Sequence, residues 1–131
     1  LTVNITPSST SSKIYVIATL QISVAGYHLT FRIARGGSTI VEPSAAGNRM
    51  LGMTHIYGSS SFNDHYNIES KVMQVLDTTH NSTSQLTYTV QGQNKHNPNT
   101  TGLAINGTNS GDDGAYNSRT TSTITAMEIK G

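Results

Sequence analysis

A chain of 131 residues with a net charge of +1, 34% hydrophobic, 6% aromatic and 11% charged, has room for one two-layer domain and little of the makeup of a globular enzyme. Lys and Arg nowhere cluster, no apolar run nears the ~20 residues of a membrane span, and cysteine is absent. These facts argue against a nucleic-acid footprint and a spanning helix, and they exclude a disulfide framework and a thiolate metal site.

Thr, Ser and Asn supply about a third of the residues, a composition suited to strand surfaces and polar turns. Leu1, Val3 and Ile5 alternate with Thr2 and Asn4, predicting a short opening strand that Pro7 to Ser12 ends as a polar turn. Ile14, Val16, Ala18, Leu20, Ile22 and Val24 then occupy every even position, so their side chains share one face of a long strand. Ala25-Gly26 offers a reversal, and Leu29, Phe31 and Ile33 alternate along a returning strand over 27–35, which predicts a long amphipathic hairpin. Gly36-Gly37 turns the chain into a short strand over 38–41. After a loop through Pro43, residues 48–57 read as a strand without a clean period, and 58–67 as a Ser-rich loop.

Residues 68–77 carry Val72 and Leu76 on one face and Met73 and Val75 on the other, as in a strand covered on both sides. Leu86, Tyr88 and Val90 mark another alternating strand, whereas 92–119 reads mostly as loop around Leu103, Ala104 and Ile105. In the closing strand, 120–130, Ile124 and Ala126 face one way and Met127 and Ile129 the other. Eight or nine strands at this spacing predict an all-β antiparallel sandwich of jelly-roll type in a single domain, 1–131. One apolar face of the closing strand meets the domain's own core. The other needs a neighbouring copy, with Met127, Ile129, Met73 and Val75 at the interface.

Ile5-Thr6-Pro7-Ser8-Ser9-Thr10-Ser11-Ser12-Lys13-Ile14, the turn Arg35-Gly36-Gly37-Ser38-Thr39-Ile40, and Leu76-Asp77 come in order along the chain. Thr83-Ser84 through Tyr88-Thr89-Val90-Gln91 and the closing Thr121 to Ile129 follow them. Together they resemble the C-terminal β-domain of marine, cyanophage-like, phage tail-fibre and virion structural proteins. One departure is that Thr78-Thr79-His80-Asn81 stands where that family has a Pro soon after the Leu-Asp pair. The resemblance implies a homotrimeric tail fibre or other virion appendage, with residues 1–6 arriving from the stalk of a longer protein. It brings no catalytic residue with it.

His28, His55, His65, His80 and His96 include no His-x-His or His-Glu-x-x-His, so no metal site is expected from spacing within one chain; a threefold axis gathering one His from each copy is the exception. Asn109 to Gly114 offers hard oxygen ligands but lacks the length and terminal Glu of a calcium loop, and reads as a polar turn. No Gly-x-Ser-x-Gly elbow and no carboxylate pair in an apolar setting point to catalysis, and no cofactor is expected. Four Asn-x-Ser/Thr triplets, at Asn4, Asn81, Asn99 and Asn106, are what an Asn- and Thr-rich chain contains by chance.

Strict alternation of strand direction groups the turns 25–27, 42–48, 78–84 and 106–119 at the end away from a stalk. That group holds Tyr27, His80, Asn81, Asn109, Asp112, Asp113, Tyr116 and Arg119, residue types that read hydroxyls and stack on polar ligands, as a host-surface glycan receptor requires. The expected activity is therefore host attachment by three copies acting with avidity. A purely structural trimerisation cap or capsid decoration is one alternative, and a monomeric carbohydrate-binding module is another.

Overall fold

In the computed structural model, which describes residues 1–26, 28–58, 66–94, 102–108, 113–115 and 117–131, the even-numbered apolar series becomes the spine of one sheet. Strand β2 (Lys13–Val24) buries Ile14, Val16, Ala18, Leu20, Ile22 and Val24 and turns Tyr15, Ile17, Thr19 and Gln21 outward. The other strands are β1 (Thr2–Ile5), β3 (His28–Arg35), β4 (Ser38–Thr39), β5 (Thr54–Tyr57), β6 (Glu69–Asp77), β7 (Leu86–Gln93), β8 (Leu103–Ile105) and β9 (Thr123–Ile129). They form two antiparallel sheets packed face to face, and the described residues contain no α-helix.

The first sheet runs β1-β7-β3, with β4 and β5 in line along the far edge of β3. In the second, β6 pairs one edge of β2 from Ile14↔Asp77 to Ile22↔Glu69. Strands β9 (Lys13↔Ile129 to Thr19↔Thr123) and β8 (Ile22↔Ile105 to Val24↔Leu103) lie in line on the other edge. The inner faces meet as one cluster in which Leu29, Phe31, Ile33 and Tyr88 of the first sheet pack on the buried row of β2 and on Met73 and Val75.

The predicted hairpin of 13–24 with 27–35 does not form, because β2 and β3 pair in different sheets. Each strand has a full apolar face to hide. Placed across the gap from one another, the two faces cover each other, whereas side by side both would face the same way. The chain crosses between sheets at Ala25-Gly26, where Gly26 has φ of 74° and the Ala25 N–H donates to the Gly102 carbonyl at 2.9 Å.

Three further expectations change. Of 48–57, only Thr54–Tyr57 is strand, because 52–53 lies over β3: the Met53 N–H donates to the Phe31 carbonyl at 2.8 Å, and a Cβ on Gly52 would meet the Thr30 Cβ at 2.8 Å. Leu103–Ile105, read within a loop, is a strand. Strand β6 is covered on one side only, with Met73 and Val75 inside and Val72 and Leu76 outside.

At the end of the sandwich away from the Ala25-Gly26 crossover, the inner positions are polar. Asp77 of β6, with no exposed surface, reaches across to Arg35 and Tyr88, which are register partners in the first sheet. Its Oδ2 accepts from the Tyr88 hydroxyl at 2.7 Å and from the Arg35 guanidinium, and its Oδ1 accepts from the Thr79 N–H at 3.0 Å and hydroxyl at 3.1 Å. Burial alone would raise the carboxyl pKa. These donors and the Arg35 charge outweigh it and hold the pKa below its ordinary value. Burial first, then the contact with Asp77, raises that of the Tyr88 phenol.

Candidate binding surfaces

The outer face of the second sheet follows from the odd positions of β2. Register places Met127, Tyr15 and Leu76 in one row, Thr125, Ile17 and Gln74 in the next, and Thr123, Thr19 and Val72 in a third; Ile129 lies beside Lys13. Met127 is 46% exposed, Ile129 47%, Leu76 44% and Val72 57%. Two polar pairs bond to each other on the face: the Tyr15 hydroxyl donates to Gln74 Oε1 at 2.5 Å, and Gln21 Nε2 donates to Ser70 Oγ at 2.9 Å. Lys13, at one end, is the only charged residue among these described positions. Such a face is cheap to dry, having little charge to desolvate.

Met127 and Ile129 are thus where the sequence places them, on an uncovered face. Met73 and Val75 are not. At 2% and 6% exposure they belong to the chain's own core, and the outward apolar pair of β6 is Val72 and Leu76. The period-2 reading found both pairs; which one faced inward depended on the phase of pairing with β2.

A second surface is built by the connection between β8 and β9. Asn106, at φ of 66°, turns the chain out of β8, and three hydrogen bonds tie the connection's root to the sheet. The Asn106 N–H donates to the Gln21 carbonyl at 2.9 Å, the Ser122 N–H to Asn106 Oδ1 at 2.7 Å, and the Gln21 N–H to Ser122 Oγ at 2.9 Å. A bridge of Gly107 with Arg119 and a hydrogen bond from the Thr108 hydroxyl to Asn117 Oδ1 at 2.8 Å extend the ladder outward. The recess beside it, about 270 Å³, is lined by Asn106, Thr108, Asp113, Asn117, Ser118 and Arg119 among others. Carboxylate, guanidinium, amide and hydroxyl groups converge there, the set that reads sugar hydroxyls. Asp113 and Arg119, two of the candidate residues, line this recess together. Asn106, Thr108 and Asn117 were missed, although Asn106-Gly107 is itself a turn signal.

The remaining receptor candidates divide. Tyr27, Asn109, Asp112 and Tyr116 lie outside the described residues. His80 is not a surface contact: it is 9% exposed, its Nε2 donates to the Ser12 carbonyl at 2.6 Å, and its Nδ1 accepts from the Ser82 N–H at 3.1 Å. These side-chain hydrogen bonds hold the 78–84 turn. Asn81 is exposed, with φ of 43°.

The expected grouping of turns also fails. Strands β4 and β5 both run antiparallel to β3, and β8 and β9 both run antiparallel to β2, so direction does not reverse between the members of either pair. The Ala25-Gly26 crossover and the 78–84 turn consequently lie at opposite ends, and the Asp113–Arg119 recess lies on a flank. A further cleft of about 620 Å³ opens between the sheets over Leu20, Leu29, Phe31, Val90 and Leu103. No protein-family model and no curated protein matches this chain.

Proposed function

We propose that this chain is an attachment domain of a virion surface appendage, a phage tail fibre or its equivalent, that self-associates as a homotrimer and binds a host-surface glycan. The observation that carries the reading is the nearly uncharged outer face of β9-β2-β6, where four large apolar side chains stay about half exposed while the polar groups Tyr15, Gln74, Gln21 and Ser70 pair with one another. A second copy offers the same chemistry, and a closed ring of copies would cover the face in each. The Asp113–Arg119 recess is then repeated once per copy, and weak contacts to a repetitive glycan add through avidity. We also infer jelly-roll wrapping, because β7 returns to lie between β1 and β3 while β2 and β6 pair in the facing sheet. The protein acts by adhesion, without a chemical step.

Mass in solution tests the assembly, and competition with virus adsorption tests the adhesion. The wild-type domain should sediment as a trimer, and Leu76→Lys with Met127→Lys should give a folded monomer. The trimer should block adsorption, and Asp113→Ala with Arg119→Ala should abolish blocking while leaving the mass unchanged. A monomeric wild type removes the interface. A trimer that does not block adsorption removes the receptor and leaves a structural cap.

A further inference from the structure

On the outer face of the first sheet, where β3 meets β5, two histidines that lie 27 residues apart in sequence converge. His28 is the register partner of Tyr57, and Thr30 that of His55, so His28 and His55 are diagonal neighbours on adjacent strands. His28 Nδ1 and His55 Nε2 share an N–H···N hydrogen bond at 3.3 Å, and the two rings lie with centroids 5.5 Å apart and planes at 28°. The Tyr57 ring stacks on His28 with centroids 4.4 Å apart and planes at 23°, which restrains the imidazole. Both histidines are exposed on the sheet surface, so solvent reaches the pair.

A tetrahedral zinc ion bonded to two imidazoles at about 2.0–2.1 Å holds their nitrogens about 3.3 Å apart. We propose that His28 and His55 form a binding site for a borderline divalent metal ion, zinc, nickel or copper, with Nδ1 of His28 and Nε2 of His55 as its protein ligands. In the free protein one of the two facing nitrogens carries the proton of their hydrogen bond; on metal binding that ring moves its proton to the far nitrogen, so both neutral imidazoles donate one lone pair each. Binding requires a choice of tautomer and no proton loss. The remaining coordination positions belong to water or to a ligand brought by a partner.

The surroundings favour the uncharged ring. Partial burial first, then His28 and Lys71, lower the pKa of His55, which leaves its lone pair available at neutral pH. Lys71, on the adjoining edge of the other sheet, is itself paired with Glu69 at 2.6 Å, which offsets part of its repulsion for a cation. Imidazole with water suits zinc, nickel and copper and does not suit calcium or magnesium, which require oxygen ligands.

The test is titration of the whole chain with zinc chloride and with nickel chloride, followed by calorimetry and by the imidazole resonances in NMR. The expected result is one ion per chain and perturbation of the His28 and His55 rings. His28→Ala and His55→Ala should each weaken binding by about tenfold or more, since even outer-shell changes cost that much. His65→Ala and His96→Ala should leave it unchanged. His28 and His55 are on the surface, and thermal melts of the variants without metal should match wild type. Absence of saturable binding overturns the proposal, as does binding that survives both His28→Ala and His55→Ala. The readout is independent of self-association, because the pair lies on the opposite sheet from Met127 and Leu76.

Discussion

Replacing Asp77 by Asn tests the polar link between the two sheets. The amide has the same shape, and its oxygen can keep both Thr79 donors. Its NH2 group, however, points donors at the Tyr88 hydroxyl and Arg35 guanidinium that the carboxylate accepted from. Breaking a buried ion pair from one side costs about 3–5 kcal/mol. Arg35 retains 28% of its side-chain exposure and can regain some water, so the low end, about 3 kcal/mol, is expected. Tyr88→Phe removes one of four donors to a charged acceptor and should cost about 1.5 kcal/mol, the lower figure for such a bond.

Urea unfolding measures both variants, and its pH dependence separates the charge from the packing. The folded pKa of Asp77 lies below its ordinary value of 3.8, so the unfolded chain takes up the proton first as pH falls. The carboxylate's contribution is therefore complete above pH about 4 and is lost as pH drops through the folded pKa. Wild type and Asp77→Asn should differ by the full amount at pH 7 and converge below pH about 4. A cost below about 1 kcal/mol at pH 7, or a difference that persists unchanged into acid, would refute the carboxylate's role in joining the sheets.

Other expectations follow from burial and close approach. Gly58→Ala would put a Cβ 1.8 Å from the Val24 carbonyl oxygen, so the crossover must shift; a melting temperature within a degree or two of wild type would contradict that packing. His80→Ala should cost about 1–3 kcal/mol through its two lost hydrogen bonds, yet leave receptor competition by the folded protein intact. Met73→Ala should cost about 2–5 kcal/mol at any protein concentration. Leu76→Ala should lower stability only where the protein self-associates, seen as a concentration-dependent melt. Equal effects at both positions would mean that the phase of β6 is wrong.

Much of this protein is legible residue by residue, because alternation with period two is a local property. The apolar row at the even positions of β2, the row Leu29, Phe31 and Ile33, and the separation of Ile124 and Ala126 from Met127 and Ile129 all follow from it. Partner choice is not local. Nothing in 13–35 says whether β2 and β3 pair or face each other, and nothing in 68–77 says whether Met73 or Val72 is inside. Those answers depend on register with strands about fifty residues or more away in sequence, such as Ala18↔Met73 and Ala18↔Ile124. The same dependence explains the sites. Asp113 and Arg119 could be chosen as polar loop residues, but the recess they share needs the bridge of Gly107 with Arg119 and the tether at Gln21. His28 and His55 show no metal-ligand spacing, and only the β3–β5 register carries their nitrogens to 3.3 Å. Composition and alternation by themselves determined an all-β chain with an apolar face to spare. The tertiary pairing decided which residues occupy that face and which side chains meet, because a sheet's contacts are set by hydrogen-bonded neighbours that lie far apart along the chain.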